Sequence, residues 1–273
     1  MAVHDVAHVE LFMRDKVSAL DHFVSGMGFT PVADSVEVDR SSTLLCQGDV
    51  RLVVTTGHGI RSFLNEHGDG IADIALTCDD VAATRERAVA AGATPVPSRY
   101  GVPCVTAFGD VRHTLLPRRP VGTAPPGRRW VAVSRSPAPS AGRIRRLGHV
   151  AVRLEREKVE GQADFYRDAF GLSRDVSGQA AAGETAGDSV VVRGASGRVS
   201  LALAAAPAGA AGPGPLDDFP RCGGSAGAES LVFLTDDDAL SYEFVQPQGL
   251  PASDRLGSTA RYETAARGQL AAR

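Results

Sequence analysis

The sequence predicts an α+β fold made of two related halves, and three observations carry that reading. A run opening His8-Val9-Glu10-Leu11-Phe12 leads through the helix-like SALDHFVSGM to Gly28-Phe29. A second run, opening His149-Val150-Ala151-Val152, leads through GQADFYRDAF to Gly171-Leu172. Between them the pattern breaks. The stretch from Pro117 to Arg146 holds eight arginines and no acidic residue, interrupted by Pro, Gly and Ser.

Each half begins with a short β-like run that carries a His at its start. An amphipathic helix follows, and a glycine after its last apolar turn suits a left-handed C-cap. Strand-like runs come next, STLLCQGDVRLVVTT in the first half and DSVVVRGASGRVSLALA in the second, with glycines at the expected hairpin turns. The arginine-rich stretch reads as a solvated linker rather than a phosphate-binding arm, because loop-forming residues interrupt it. The expected division is therefore an N-terminal domain over 1–117, a linker over 118–146 and a C-terminal domain over 147–273.

A second unit follows in each half. The first contains IADIALTCDD, the helix VAATRERAVAAG, and strands around TPVPSRYGVPCVTAFG and VRHTLLP. The second contains ESLVFLTDDD and then shortens. Asp73 and Ser230 each precede a shared DD pair, and they give a ruler: 113 − 73 = 40 residues to His113, against 243 − 230 = 13 to Glu243. About 27 residues, enough for a helix and one or two strands, are missing from the second half by that measure. TARYETAARGQLAAR reads as a terminal helix. An incomplete second half exposes strand edges, so a homo-oligomer is expected.

Composition narrows the class. Apolar residues make up 43% and charged residues 22%, the balance of a globular chain. The net charge of -3 favours neither nucleic acid nor an anionic membrane. No apolar run reaches the roughly 18 residues of a spanning helix and no signal-peptide core is seen, so a soluble, cytoplasmic protein is expected. Cys46, Cys78, Cys104 and Cys222 are widely spaced, which favours free thiols.

HGDGIADIALTCDDV, QGDVRLVVT, FGDVRHTLL, LGHVAV, FYRDAFGL and SGRVSLAL occur in this order, with YEFVQ and RLGSTARYETA beyond. Together these strings resemble the family of 4-hydroxyphenylpyruvate dioxygenase and 4-hydroxymandelate synthase, from His8 to about Asp237 and again towards the end. The resemblance implies paired βαβββ modules of the vicinal-oxygen-chelate type, forming two open-barrel halves of which the second is incomplete. It also implies Fe(II), O2 and a small aromatic 2-oxo acid handled in the C-terminal half. SGRVSLAL, without the Pro and Asn usual in the dioxygenase branch, leans towards the synthase.

The family's iron is held by two His and one carboxylate, which leaves positions for a bidentate oxo acid and O2. The resemblance places the first His on His149, the carboxylate on Glu243 and the second His on Ser230, whose hydroxyl is a poor substitute. Ser189 matches a serine that contacts substrate in the synthase branch. By the internal repeat, His8, Asp73 and His113 form an alternative metal set in the first half. Structural readings stand beside these: His149 as a hydrogen-bonded strand residue, Ser189 as an ordinary strand serine, and the first-half set as a structural network. Two functions follow as expectations: an Fe(II)-dependent dioxygenase or synthase, and a noncatalytic relative that lacks the second iron-ligand His.

Overall fold

The computed structural model describes residues 3–118, 124–133, 143–175, 189–205, 226–235, 239–243 and 264–266, the last two stretches as backbone. The first half runs β1 (Val3–Phe12), α1 (Lys16–Asp21), β2 (Thr30–Val36), β3 (Ser41–Gln47), β4 (Val50–Thr56), α2 (Arg61–His67), β5 (Gly70–Cys78), α3 (Val81–Ala90), β6 (Cys104–Thr106) and β7 (Arg112–Pro117). Then come β8 (Val131–Ala132), β9 (Ile144–Leu154), α4 (Arg156–Phe170), β10 (Ser173–Arg174), β11 (Ser189–Arg193), β12 (Ser200–Ala205), β13 (Ala226–Thr235), β14 (Ala239–Glu243) and β15 (Thr264–Ala266).

The helices begin and end where their caps allow. Asp15 Oδ1 accepts from the Ser18 amide at 3.0 Å and Asp80 Oδ1 from the Ala83 amide at 2.9 Å, which fixes the starts of α1 and α3. α4 closes on Gly171 in the left-handed conformation, the C-cap expected from the sequence.

The strands form two sheets. The first is ordered β6-β7-β5-β1-β4-β3-β2-β8 and the second β10-β11-β12-β9-β13-β14-β15. In the first, β1 lies parallel to β4 and antiparallel to β5, with Val9 opposite Leu52 and Ile74. In the second, β9 lies parallel to β12 and antiparallel to β13, with Val150 opposite Leu201 and Leu231. The two registers match, so His8 is equivalent to His149 and Asp73 to Ser230.

The expected shortening is visible as topology. In the first half, α3 and β6 intervene between β5 and β7, and β7 comes to lie parallel to β5. In the second half β14 follows β13 directly and pairs antiparallel to it. His113 and Glu243 therefore lie on strands of opposite direction, and the ruler that equated them fails on that ground.

One face of each sheet joins a common apolar core. Val9, Leu11 and Ile74 from the first half share it with Val150, Leu201 and Phe233 from the second. The Phe29 and Phe233 rings meet edge-on with centroids 5.7 Å apart, and α3 packs on α4. The opposite faces carry His8, Glu10 and Asp73 in the first half and His149 and Ser230 in the second.

The segment expected to be a solvated linker is partly structured. β8 adds to the edge of β2, and β9 already starts at Ile144. The Ile144 amide donates to Gln47 Oε1 at 2.7 Å and the Asp49 amide to the Arg145 carbonyl at 2.8 Å. Gly48, at φ 52°, lets this hairpin approach so closely, because a β-carbon there would lie 2.6 Å from the Ile144 carbonyl oxygen.

The expected terminal helix is corrected at Thr264–Ala266, which are extended and pair with β14. Its other residues lie outside the described residues. Cys46, Cys78 and Cys104 are free thiols, and Cys222 lies outside the described residues. Among the described residues no helix is long and apolar enough to cross a membrane.

Candidate functional site

Alternation along the strands assigns the open face of the second sheet. Val150, Val152, Leu201, Leu203, Leu231 and Phe233 face the core, so His149, Ala151, Ser200, Ala202, Ser230 and Val232 face the opposite way. Ser189 pairs with Ala204 and shares that face, because its neighbour Val190 is a core residue. The expected residues His149, Ser189 and Ser230 thus stand on one surface.

This surface carries small side chains around one imidazole, and the same alternation adds Val191 and two arginines, Arg153 and Arg193. Burial, with the Arg193 guanidinium adding to it, holds His149 below the ordinary imidazole value, so its ring is neutral at pH 7. A neutral ring offers a lone pair to a metal or a ligand. Ser230 is 6% exposed. Glu243 stands opposite Ser230 in the β13–β14 register. Ser200, one residue before the Leu201–Val150 pair, flanks His149, and its buried hydroxyl has no hydrogen-bond partner among the described residues. Sequence reasoning did not single out Ser200; its place beside His149 emerges only from the parallel register.

The first half treats its equivalent face differently. Glu10 pairs with Asp73, and His8 with Ala75, so all three polar side chains share the open face. Burial pushes His8 down to about 4, the nearby Glu10 notwithstanding. Burial pushes Asp73 up to about 6, against two hydrogen bonds from Thr114.

His113 does not join them. It projects into the core, where Nδ1 lies 2.8 Å from the Ile74 carbonyl and Nε2 lies 2.9 Å from the Tyr166 hydroxyl. A carbonyl can only accept, so Nδ1 carries the proton and Tyr166 donates to Nε2. Burial pushes His113 down to about 4, which keeps it neutral. The structure therefore does not assemble His8, Asp73 and His113 as a triad: two lie on the open face and one on the other side of the sheet.

Among the described residues, metal-ligand geometry occurs at Glu66, His67 and Asp110, whose donor atoms lie within 4.8 Å of one another. His67 Nε2 is 2.5 Å from Asp110 Oδ2, the spacing of an ion pair, and both carboxylates are exposed. This cluster belongs to the first half, on α2 and the turn between β6 and β7.

The family's metal can be tested against this donor set. His149 and Glu243 are an imidazole and a carboxylate, the donor types Fe(II) takes, while Ser230 offers a neutral hydroxyl in place of the second imidazole. The set fits the metal one strong donor short.

A family model described as the Glyoxalase/Bleomycin resistance protein/Dioxygenase superfamily matches residues 7–105. A triple variant of 4-hydroxymandelate synthase from Streptomyces coelicolor is 34% identical, with 86% of this chain and 72% of that chain covered and a TM-score of 0.70. The chain belongs to the 4-hydroxyphenylpyruvate dioxygenase and 4-hydroxymandelate synthase family.

Membership bears out both the resemblance and the α+β class. Curated family members named 4-hydroxyphenylpyruvate dioxygenase, from Pyricularia oryzae and Yarrowia lipolytica, are 24% and 23% identical over 70% and 61% of this chain. The chain spans about half the length of these family members, 49% in each case. A xylose isomerase-like TIM barrel/4-hydroxyphenylpyruvate dioxygenase fusion protein shares the fold, at TM-score 0.65 and 23% identity over 86% of this chain and 37% of that one.

Proposed function

We propose that the open face of the second sheet binds an aromatic 2-oxo acid of the 4-hydroxyphenylpyruvate type. On this reading the protein acts as a 4-hydroxyphenylpyruvate dioxygenase-like or 4-hydroxymandelate synthase-like oxidoreductase with O2 and Fe(II). The observation that carries the proposal is the convergence of His149, Ser189, Ser200 and Ser230 on one face of the sheet.

His149 and Glu243 would hold the metal, which when bound supplies the redox chemistry that couples decarboxylation to hydroxylation. The chain's own residues bind and orient. Ser200, buried and without a hydrogen-bond partner among the described residues, is placed to donate to an acid oxygen beside His149. Ser189 offers a second hydroxyl from the neighbouring strands. Ala151, Ala202 and Ala204 leave room against the sheet for a planar ring.

A second reading is favoured by Ser230: the protein binds the acid without turning it over, because the metal has lost an imidazole. One titration separates the two. Fe(II) and then 4-hydroxyphenylpyruvate are added anaerobically to the purified protein, and the metal-to-ligand charge-transfer band and subsequent O2 uptake are followed. A band with O2 uptake supports turnover. Calorimetric binding of the acid without either supports the second reading, and no binding at all contradicts both.

A further inference from the structure

Arg128 belongs to the arginine-rich stretch, yet its side chain is only 4% exposed. Its Nη2 lies 2.6 Å from each carboxylate oxygen of Glu10, whose side chain is 6% exposed. Its Nη1 lies 3.0 Å from Ser42 Oγ and 3.5 Å from Thr55 Oγ1. Thr55 donates to Glu10 at 2.7 Å, so the Ser42 hydroxyl, 2.8 Å away, donates to Thr55 and the network closes. The guanidinium also lies 4.5 Å from the Tyr100 ring centroid and 5.8 Å from that of Trp130.

These groups recognise a planar cation. A carboxylate and hydroxyls meet its edge while aromatic rings meet its face, an arrangement that suits a guanidinium better than an ammonium ion. The place is also specific: Glu10 sits opposite both Asp73 and Val53, on the open face of the first sheet. That face is the counterpart of the one carrying His149 and Ser230.

The chain around Arg128 is fitted to the same surface. Trp130 packs with Ala33, Leu44 and Val53 and donates from Nε1 to the Pro125 carbonyl at 2.7 Å. Gly127, at φ 82°, passes so close to Tyr100 that a β-carbon would lie 2.8 Å from the Tyr100 carbonyl oxygen. β8 then fastens the segment to β2.

We propose that the open face of the first half is a guanidinium-binding site filled by Arg128 of the same chain, which straps residues 124–133 across that face and closes it to other ligands. The first half is then an internally liganded copy of the fold, and the second sheet alone keeps its face for a small molecule.

Trp130 is the only tryptophan in the chain, so its emission reports the strap directly. In Arg128→Ala the emission is expected to shift to the red and acrylamide quenching to rise. Ethylguanidinium at millimolar concentration, far below the molar range in which guanidinium denatures, is expected to restore both. Ethylammonium is expected not to. Equal rescue by the two cations, or no rescue by either in a folded variant, overturns the assignment.

Should Arg128→Ala fail to fold, Arg128→Lys asks the same question, because the charge remains and the planar fork is lost. Wild-type emission and quenching in Arg128→Lys would overturn the proposal; a red shift would support it. Gly127→Ala, which leaves every charge in place, is expected to loosen Trp130 in the same direction, and unchanged quenching there also counts against the strap.

Discussion

Asp73 and Ser230 occupy equivalent register positions, and their surroundings explain what each can do. Asp73 is buried beside Glu10, and burial raises its carboxyl to about 6. Because the folded value exceeds the unfolded one, the unfolded chain releases this proton first as pH rises. Folding stability contributed by Asp73 is therefore complete below about pH 4 and lost as pH climbs to about 6, by up to about 3 kcal/mol. Asp73→Asn should remove that loss. Urea unfolding is expected to find the variant at least as stable as wild type at about pH 7 and relatively less stable at about pH 4, and parallel curves would refute the assignment. Ser230 has no charge to lose, which suits a face left open to a ligand.

Not all of this was legible. His149, Ser189 and Ser230 were placed by the family resemblance, and the strand register puts them on one face. Arg128 was not, because it is one of eight arginines in a stretch without acids, and nothing local marks which of them meets a buried carboxylate 118 residues earlier in the chain.

At the scale of elements, the halves are stitched through β7 and α4. His113 was expected to face a metal, but VRHTLLP alternates so that Leu115 and His113 share the core side while Thr114 bonds Asp73 on the other. The sequence supplied the strand; the side it presents depended on α4, a partner 53 residues away. Tyr166 donates to His113 from a fully buried position, and its ring lies 5.7 Å from the imidazole. Tyr166→Phe keeps the packing and strands a buried nitrogen, which should cost about 1–3 kcal/mol. Chemical denaturation checks the loss, and an unchanged midpoint would show that the hydroxyl contributes nothing.

The shortened second unit was legible as spacing, since 13 residues cannot hold the helix and strand that 40 residues hold in the first half. Spacing could not give direction. The hairpin from β13 into β14 reverses the strand that the crossover leaves parallel in the first half.

For the whole molecule, duplication yields two open faces on either side of a shared core. A guanidinium closes the first, and the second keeps one neutral imidazole among small side chains and two arginines. On the proposed reading this second face is the family's ligand site, and Ser230 leaves it one donor short. Ser230→His should restore that donor. Anaerobic titration of Fe(II) in the presence of 4-hydroxyphenylpyruvate, followed by the charge-transfer band, measures the effect side by side in wild type and variant. Half-saturation of the variant is expected at about tenfold lower Fe(II) or less, since even an outer-shell partner of a metal ligand is worth about 10–100-fold. Identical titrations for the two proteins, in a variant that folds like wild type, would contradict it.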